Sequence, residues 1–293
     1  MTRAGFVALT GRPNVGKSTF VNAALGEKVA IVSDRPQTTR RAIRGVYSSG
    51  ECQIVLVDLP GVQRPRDALT ARMARRVQQE LEGADAALLI VDGQQGVGPG
   101  DRFIARTLGD AGVPVTIAVN KIDRISKDAL LLALAQAAEL HAQAEVFPIS
   151  ARGGTGVGAL LEHLATLMPE GPFLFAAATS SDQPQELLLA ELIREAVIRR
   201  TFQELPHAVE VAIEELHAPR PGLVHVRALI WAESASQKGI LIGARGRMIK
   251  AIGTAARREL ERVLASQVHL ELSVRVRKDW REDEAMLDRL HIS

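Results

Sequence analysis

At 293 residues the chain is too long for one ordinary core and comfortable for two. Its 24% charged and 46% hydrophobic residues exclude a disordered chain and fit an ordinary globular one. A formal net charge of +2 excludes no partner, so any argument for nucleic acid rests on where charge clusters. Cys52 is the only cysteine, which excludes an internal disulfide and fits a reducing compartment. Met1-Thr2-Arg3-Ala4-Gly5 leads straight into an apolar strand, leaving no room for a signal peptide. The apolar runs fall well short of the ~20 residues that span a membrane. A cytoplasmic protein is expected.

Up to about Pro169, short apolar strands alternate with helical stretches. Strands are predicted at 6–9, 53–57, 86–91, 115–119 and 145–149, and helices at 17–25, 69–81, 101–108, 128–141 and 158–167. That alternation predicts a doubly wound α/β sheet. Residues 42–47 read as a further strand, hairpinned to the next across Gly50, giving one antiparallel edge. Met168-Pro169-Glu170-Gly171-Pro172 ends this part, and 171–185 reads as an aperiodic linker. The remainder, 186–293, has a different order. An amphipathic helix at 186–200 precedes two alternating strands, two helices at 236–242 and 247–264, and a last strand at 268–276. This αββααβ order predicts a separate, smaller α+β domain.

Gly11-Arg12-Pro13-Asn14-Val15-Gly16-Lys17-Ser18 fits the phosphate-loop pattern GxxxxGK[ST] and stands between a predicted strand and a predicted helix. Backbone N–H groups from Gly11 through Asn14, Val15, Gly16, Lys17, Ser18 and Thr19 would wrap phosphates, aided by the helix N-terminus. Lys17 would reach the β- and γ-phosphates, and the Ser18 hydroxyl would meet Mg²⁺. Three further stretches end predicted strands, where ligands bind in this architecture. Asp58-Leu59-Pro60-Gly61 offers a carboxylate for Mg²⁺ and the Gly61 N–H for the γ-phosphate. Asn120-Lys121-Ile122-Asp123 supplies base selection: guanine presents two adjacent donors that one carboxylate accepts, and adenine has no such pair. Charge-assisted bonds of roughly 1.5–3 kcal/mol each make Asp123 a strong discriminator. Lys121 lies along the base, and Asn120 ties this loop to the phosphate loop. The backbone of Ser150-Ala151 would bond the guanine O6. The polar stretch Ser33–Arg40 can bring a Thr hydroxyl to Mg²⁺ while a γ-phosphate is present; Thr39 is the first choice and Thr38 the runner-up. Metal ligands are therefore expected at Ser18, Thr39 and Asp58, and groups acting on the reaction at Lys17, Asn14, Thr39 and Gly61.

These motifs, in this order, resemble the translation-factor-related GTPases. Gln37-Thr38-Thr39-Arg40 is specifically similar to the Era family of bacterial ribosome-assembly GTPases. The resemblance implies GTP and GDP as ligands with Mg²⁺. It also implies a potassium ion at Asn14, as in some relatives. Val62 replaces the water-orienting Gln of Ras-like GTPases, a replacement the Era family shares. Leu59 stands where the family usually has Thr.

In the second part, Gly243-Ala244-Arg245-Gly246 places GxxG between two helices of αββααβ, which resembles a type II KH domain. There the loop clamps a nucleic-acid backbone. Lys238, Arg245, Arg247, Lys250, Arg257 and Arg258 fall in a stretch without an acidic residue. Replacing Gly243 and Gly246 by Asp is expected to block RNA without touching the fold. Trp231 and Trp280 read as core in preference to base-stacking, and the seven histidines show no metal-ligand spacing. The resemblance implies the 3′ end of 16S-type rRNA and the small ribosomal subunit as partners, with nucleotide state coupled to RNA binding. Peripheral membrane association and a monomeric state complete the expectations on partners. Two departures are Ser234, where the family commonly has Arg, and Phe173–Ser181, which lacks its acidic, aromatic linker. Two other readings stay open: a GTP-binding scaffold with little hydrolysis, and a GTPase whose C-terminal domain docks a protein.

Overall fold

The structure, a computed structural model, describes residues 1–33, 35, 38–61, 66–202, 205–290 and 292, with His207 described by its backbone alone. Val62 lies outside the described residues. The first part runs β1 (Arg3–Thr10), α1 (Lys17–Leu25), β2 (Ile43–Ser49), β3 (Cys52–Asp58), α2 (Ala68–Glu82), β4 (Ala86–Asp92), α3 (Pro99–Ala111), β5 (Val115–Asn120), α4 (Lys127–Ala138), β6 (Glu145–Pro148) and α5 (Val157–Leu167). Its strands form one sheet in the order β2-β3-β1-β4-β5-β6. Every neighbouring pair is parallel except β2 with β3, the hairpin edge. Helices cover both faces, which is why β4 is buried along its whole length. Phe20 and Leu160 pack on one face. Leu81, Leu108 and Ala133 pack on the other. The parallel strands all end at one edge, so the loops after β1, β3, β5 and β6 meet there.

The second part runs α6 (Gln185–Ile198), α7 (Leu205–Ala208), β7 (Glu210–Arg220), β8 (Leu223–Ala232), α8 (Ala235–Ile242), α9 (Arg247–Leu264), β9 (Gln267–Val276) and α10 (Glu284–Arg289). β7 pairs antiparallel with β8, and β8 parallel with β9. Leu192, Ile230 and Leu260 centre the core between this sheet and the α6–α9 layer. The helices α7 and α10 were not expected. Neither is long enough to display a helical period, and each is held by packing. On the sheet's other face Trp280, Leu287, Leu229 and Trp231 close over Leu69 and Met73 of α2. Both tryptophans are therefore core, and Trp280 donates its indole N–H to the Ala208 carbonyl at 3.0 Å.

The connecting stretch is docked, not loose. The Gln53 side-chain oxygen accepts the N–H groups of Leu174 (2.8 Å) and Phe175 (2.9 Å), and Ser181 bridges to Gly45 of β2. One side chain and isolated bridges, not a continuous ladder, hold this backbone, so the stretch carries no strand period.

Candidate functional site

The phosphate loop is built by backbone conformation. Asn14 and Gly16 are left-handed, with φ of 65° and 105°. A Cβ at Gly16 would lie 2.2 Å from the Asn120 side-chain nitrogen, so the glycine lets the two loops meet. Asn120 joins them directly: Nδ2 donates to the Val15 carbonyl (2.8 Å), and Oδ1 accepts the Ala151 N–H (2.9 Å). Lys17 is buried and donates to the carbonyls of Gly11 (3.2 Å) and Arg12 (3.3 Å). Burial lowers its pKa against the pull of Asp58.

Ser18, Asp58 and Thr39 converge from three separate elements. Ser18 Oγ donates to Asp58 Oδ2 at 2.5 Å and lies 3.2 Å from Thr39 Oγ1. Thr38 turns away, its hydroxyl donating to the Arg35 carbonyl at 2.6 Å, which favours Thr39 of the two candidates. Asp58 is wholly buried, its pKa raised by desolvation in spite of Lys17, and among the described residues its Oδ1 has no hydrogen-bond partner. A buried carboxylate oxygen left over beside two hydroxyls fits a hard divalent cation that takes oxygen ligands.

At the far end Asp123 accepts the Ser150 hydroxyl at 2.6 Å. That bond, first among several causes, holds the Asp123 carboxyl below its usual range. Lys121, left-handed with φ 67°, extends to Asp92 Oδ2 at 2.6 Å. These groups line a cavity of about 380 Å³ that runs from Asn14, Gly16, Lys17, Ser18 and Thr19 past Gly61 to Asn120, Lys121 and Asp123. Gly11, Val15, Asp58, Ser150 and Ala151 stand behind the lining. The amides of Ser150 and Ala151 already donate to Thr155 and Asn120.

The seam between the two parts falls on the segments around this cavity. Ile31 is buried in the second part's core. Glu195 of α6 accepts Lys28 Nζ (2.5 Å) and the Val32 N–H (3.1 Å). Arg194 donates to the Thr38 carbonyl, next to Thr39. Arg40 and Arg41 reach Glu210 of β7 at 2.6 and 3.3 Å, and Arg41 also reaches Glu191 at 2.6 Å. Burial works to raise the Glu210 pKa, yet Arg41, Arg40 and Arg194 together pull it down to about 2. Burial lowers Arg40 to about 10 in spite of Glu210, so it stays charged at neutral pH. On the other side of Gly61, α2 joins the Trp280 cluster, and Arg72 of α2 bonds Asp288 of α10.

The GxxG loop lies at the α8–α9 junction. Gly243 and Gly246 have φ of 71° and 73°, and Arg245 between them is left-handed at 52°. Ala244, Arg245, Arg247 and Lys250 are exposed and Lys238 is half-buried; among the described residues none of the four cations forms an ion pair. The expectation that Gly243→Asp would spare the fold does not hold. A Cβ there would lie 2.7 Å from Met248 Cβ, on a backbone that side chains rarely adopt.

Comparison with known proteins supplies the family. The profile described as "50S ribosome-binding GTPase" matches residues 6–121, and the KH domain profile matches 204–281. GTPase Era of Halothermothrix orenii is 43% identical over 288 residues, covering 98% of each chain. GTPase Era of Mycobacterium tuberculosis is 43% identical over 294 residues, again covering 98% of each. The chain belongs to the Era family of GTPases. The crystal structure of Aquifex aeolicus Era bound to GDP and AlF4⁻ superimposes with a TM-score of 0.95 at 35% identity, over the whole of both chains. Era in complex with MgGDPNP and nucleotides 1506–1542 of 16S ribosomal RNA superimposes with a TM-score of 0.96 at 34% identity, also over both whole chains.

Within that family the departures find local reasons. Leu59 is fully buried in the apolar layer under α2 and α3, so an apolar residue there serves the core and leaves Asp58 and Gly61 in place. Ser234 caps α8, its hydroxyl accepting the Gln237 N–H at 3.2 Å. Sequence reasoning missed Asp92, which holds Lys121, and the lining residues Ile31, Val32, Ser33, Arg35, Arg152 and Arg199. None of these belongs to a short motif. Only packing brings them to the cavity.

Proposed function

We propose that the chain hydrolyses GTP to GDP and phosphate and binds the 3′ end of small-subunit rRNA, with each event altering the other, during assembly of the small ribosomal subunit. The observation that carries the proposal is the convergence of Ser18, Thr39 and Asp58 on one point, with Thr39 in the segment clamped to the KH domain. Residues 1–170 form the nucleotide domain in this reading, 171–185 join, and 186–293 bind RNA. Asp123, oriented by Ser150, selects guanine. Lys17 meets the β- and γ-phosphates, and the Gly61 N–H meets the γ-phosphate. A Cβ at Gly61 would lie 3.1 Å from the Pro13 ring, so glycine permits that close approach. Ser18, Thr39 and Asp58 would hold Mg²⁺, which supplies positive charge against the charge that builds on the phosphoryl oxygens. Asn14 takes the potassium role. Lys238, Arg245, Arg247 and Lys250, with the backbone from Gly243 through Ala244 to Gly246, face the RNA phosphates. The relative solved with 16S rRNA and MgGDPNP supports both halves of the reading. Among the described residues no helix is long and apolar enough to cross a membrane. We place the chain in the cytoplasm as a monomer with peripheral membrane association.

Turnover of GTP and ATP by the full chain tests the proposal. Intrinsic GTP turnover is expected at about 10⁻⁴–10⁻² per second, faster in K⁺ than in Na⁺, and ATP is expected to be left intact. Equal use of ATP would overturn the base assignment, and equal rates in the two salts would remove the potassium role.

A further inference from the structure

One wall of the nucleotide cavity comes from the wrong domain. Arg199 caps the C-terminus of α6, in the RNA-binding part, yet lines the cavity together with Ile31, Val32 and Ser33. Its side chain is 53% exposed, and it donates to Glu195 Oε1 at 2.8 Å. The same oxygen accepts the Val32 N–H at 3.1 Å, and the other Glu195 oxygen takes Lys28 at 2.5 Å. Glu195 is therefore fully engaged, whereas a guanidinium has five N–H donors. Among the described residues Glu195 is the only hydrogen-bond partner of the Arg199 side chain. Four guanidinium donors are left without a partner among the described residues, on a side chain that lines the cavity.

We propose that Arg199 is a nucleotide contact that the KH domain lends to the GTP site, directed at the part of the polyphosphate that GDP and GTP share. The position supports this. The phosphate loop and Ser18 close one end of the cavity, and Asp123 closes the other. Glu195 ties Arg199 to Val32, and both line the cavity outside those two loops, so the proposal sets the guanidinium along the stretch between the base and the terminal phosphates. An anion there meets a positive charge oriented by a carboxylate. A contact of this kind makes nucleotide binding favour the present arrangement of the two domains, since only that arrangement presents Arg199.

The inference rests on the guanine-nucleotide reading of this cavity, and the experiment separates the two. Affinities of the full chain for fluorescent GDP and for a non-hydrolysable GTP analogue are measured for the wild type, Arg199→Ala, Arg199→Lys and Arg200→Ala, at low and moderate salt. Arg200 is the neighbour that does not line the cavity and serves as the control. Arg199→Ala is expected to weaken both nucleotides by the same factor, roughly tenfold, with a flatter salt dependence. Arg199→Lys should recover part of the loss, and Arg200→Ala should match the wild type. Melting without nucleotide checks that each variant is folded; if Arg199→Ala is not, Arg199→Lys against Arg199→Gln decides. Unchanged affinity in folded Arg199→Ala overturns the proposal, as does a loss confined to the GTP analogue or one that Arg199→Lys fails to recover. A wild type that binds neither nucleotide overturns the cavity reading itself.

Discussion

Two arginine-rich regions of this molecule obey opposite physics. At the domain seam Arg40, Arg41 and Arg194 are buried, and Glu191 and Glu210 share their charge. At the GxxG loop Arg245, Arg247 and Lys250 stand in solvent without an ion pair among the described residues. The first set cannot exchange its partners without opening the interface. The second has nothing to lose when a polyanion arrives. Cations built into structure thus sit beside carboxylates, and cations reserved for a ligand sit in a stretch with no acid at all, from Lys238 to Arg258. On the proposed function, the contrast also gives a route by which one chain would keep nucleotide and RNA in communication. The buried set begins one residue after Thr39, so a change at the nucleotide reaches the KH domain through groups that tolerate few arrangements.

The sharpest way to break the contrast is to remove a carboxylate from the buried set. Glu210→Gln leaves the three guanidiniums with Glu191 as the remaining carboxylate in ion-pair contact with this set among the described residues. Breaking a buried pair costs about 3–5 kcal/mol, and denaturant unfolding should show a loss of that order. A loss below 1 kcal/mol would mean that water or a rearranged partner replaces the carboxylate, and the seam would not be rigid. Acid sharpens the same point. Glu210 is held down to about 2 from an ordinary 4.5, so it stabilises the fold fully above pH 4.5 and less as the pH falls toward 2. Stability measured across that window should fall more steeply for the wild type than for Glu210→Gln. Parallel curves would remove Glu210 as the cause.

The exposed set predicts the smaller effect. Arg245→Ala should leave stability within about 0.5 kcal/mol of the wild type, as surface changes do. RNA affinity should fall roughly fivefold at moderate salt, and the log–log salt slope should shrink by about 0.7 for the lost phosphate. A destabilised Arg245→Ala, or one with an unchanged slope, would place that residue in the structural class instead.

Much of this was legible in the sequence because the chemistry of phosphates fixes local spacing. The strand–GxxxxGKS–helix unit and the Asp123 stretch are each continuous in sequence, and the structure places both loops where strands end. The α9 limits, Arg247 and Leu264, follow from an apolar stripe bounded by Gly246 and left-handed Ala265. What escaped depends on long-range contact. Arg40 reads as the end of a polar loop and Arg41 carries no reading, since nothing near them in sequence reveals Glu191 and Glu210 about 150 to 170 positions away. Arg199 read as the end of an amphipathic helix. The α10 helix has six residues and no period to detect; its signal was the cluster of Trp280, Met286 and Leu287, which only a packed partner interprets.

The central claim is that nucleotide and RNA sites are linked through the seam, and linkage is reciprocal. The most direct measurement is the affinity of the full chain for single-stranded RNA matching the 3′ end of small-subunit rRNA, by fluorescence anisotropy, with saturating GTP analogue and with saturating GDP at one salt concentration. The account predicts affinities that differ by about fivefold or more, with the same factor separating the two nucleotides' affinities when RNA is bound rather than absent. Equal RNA affinity in the two nucleotide states would contradict it.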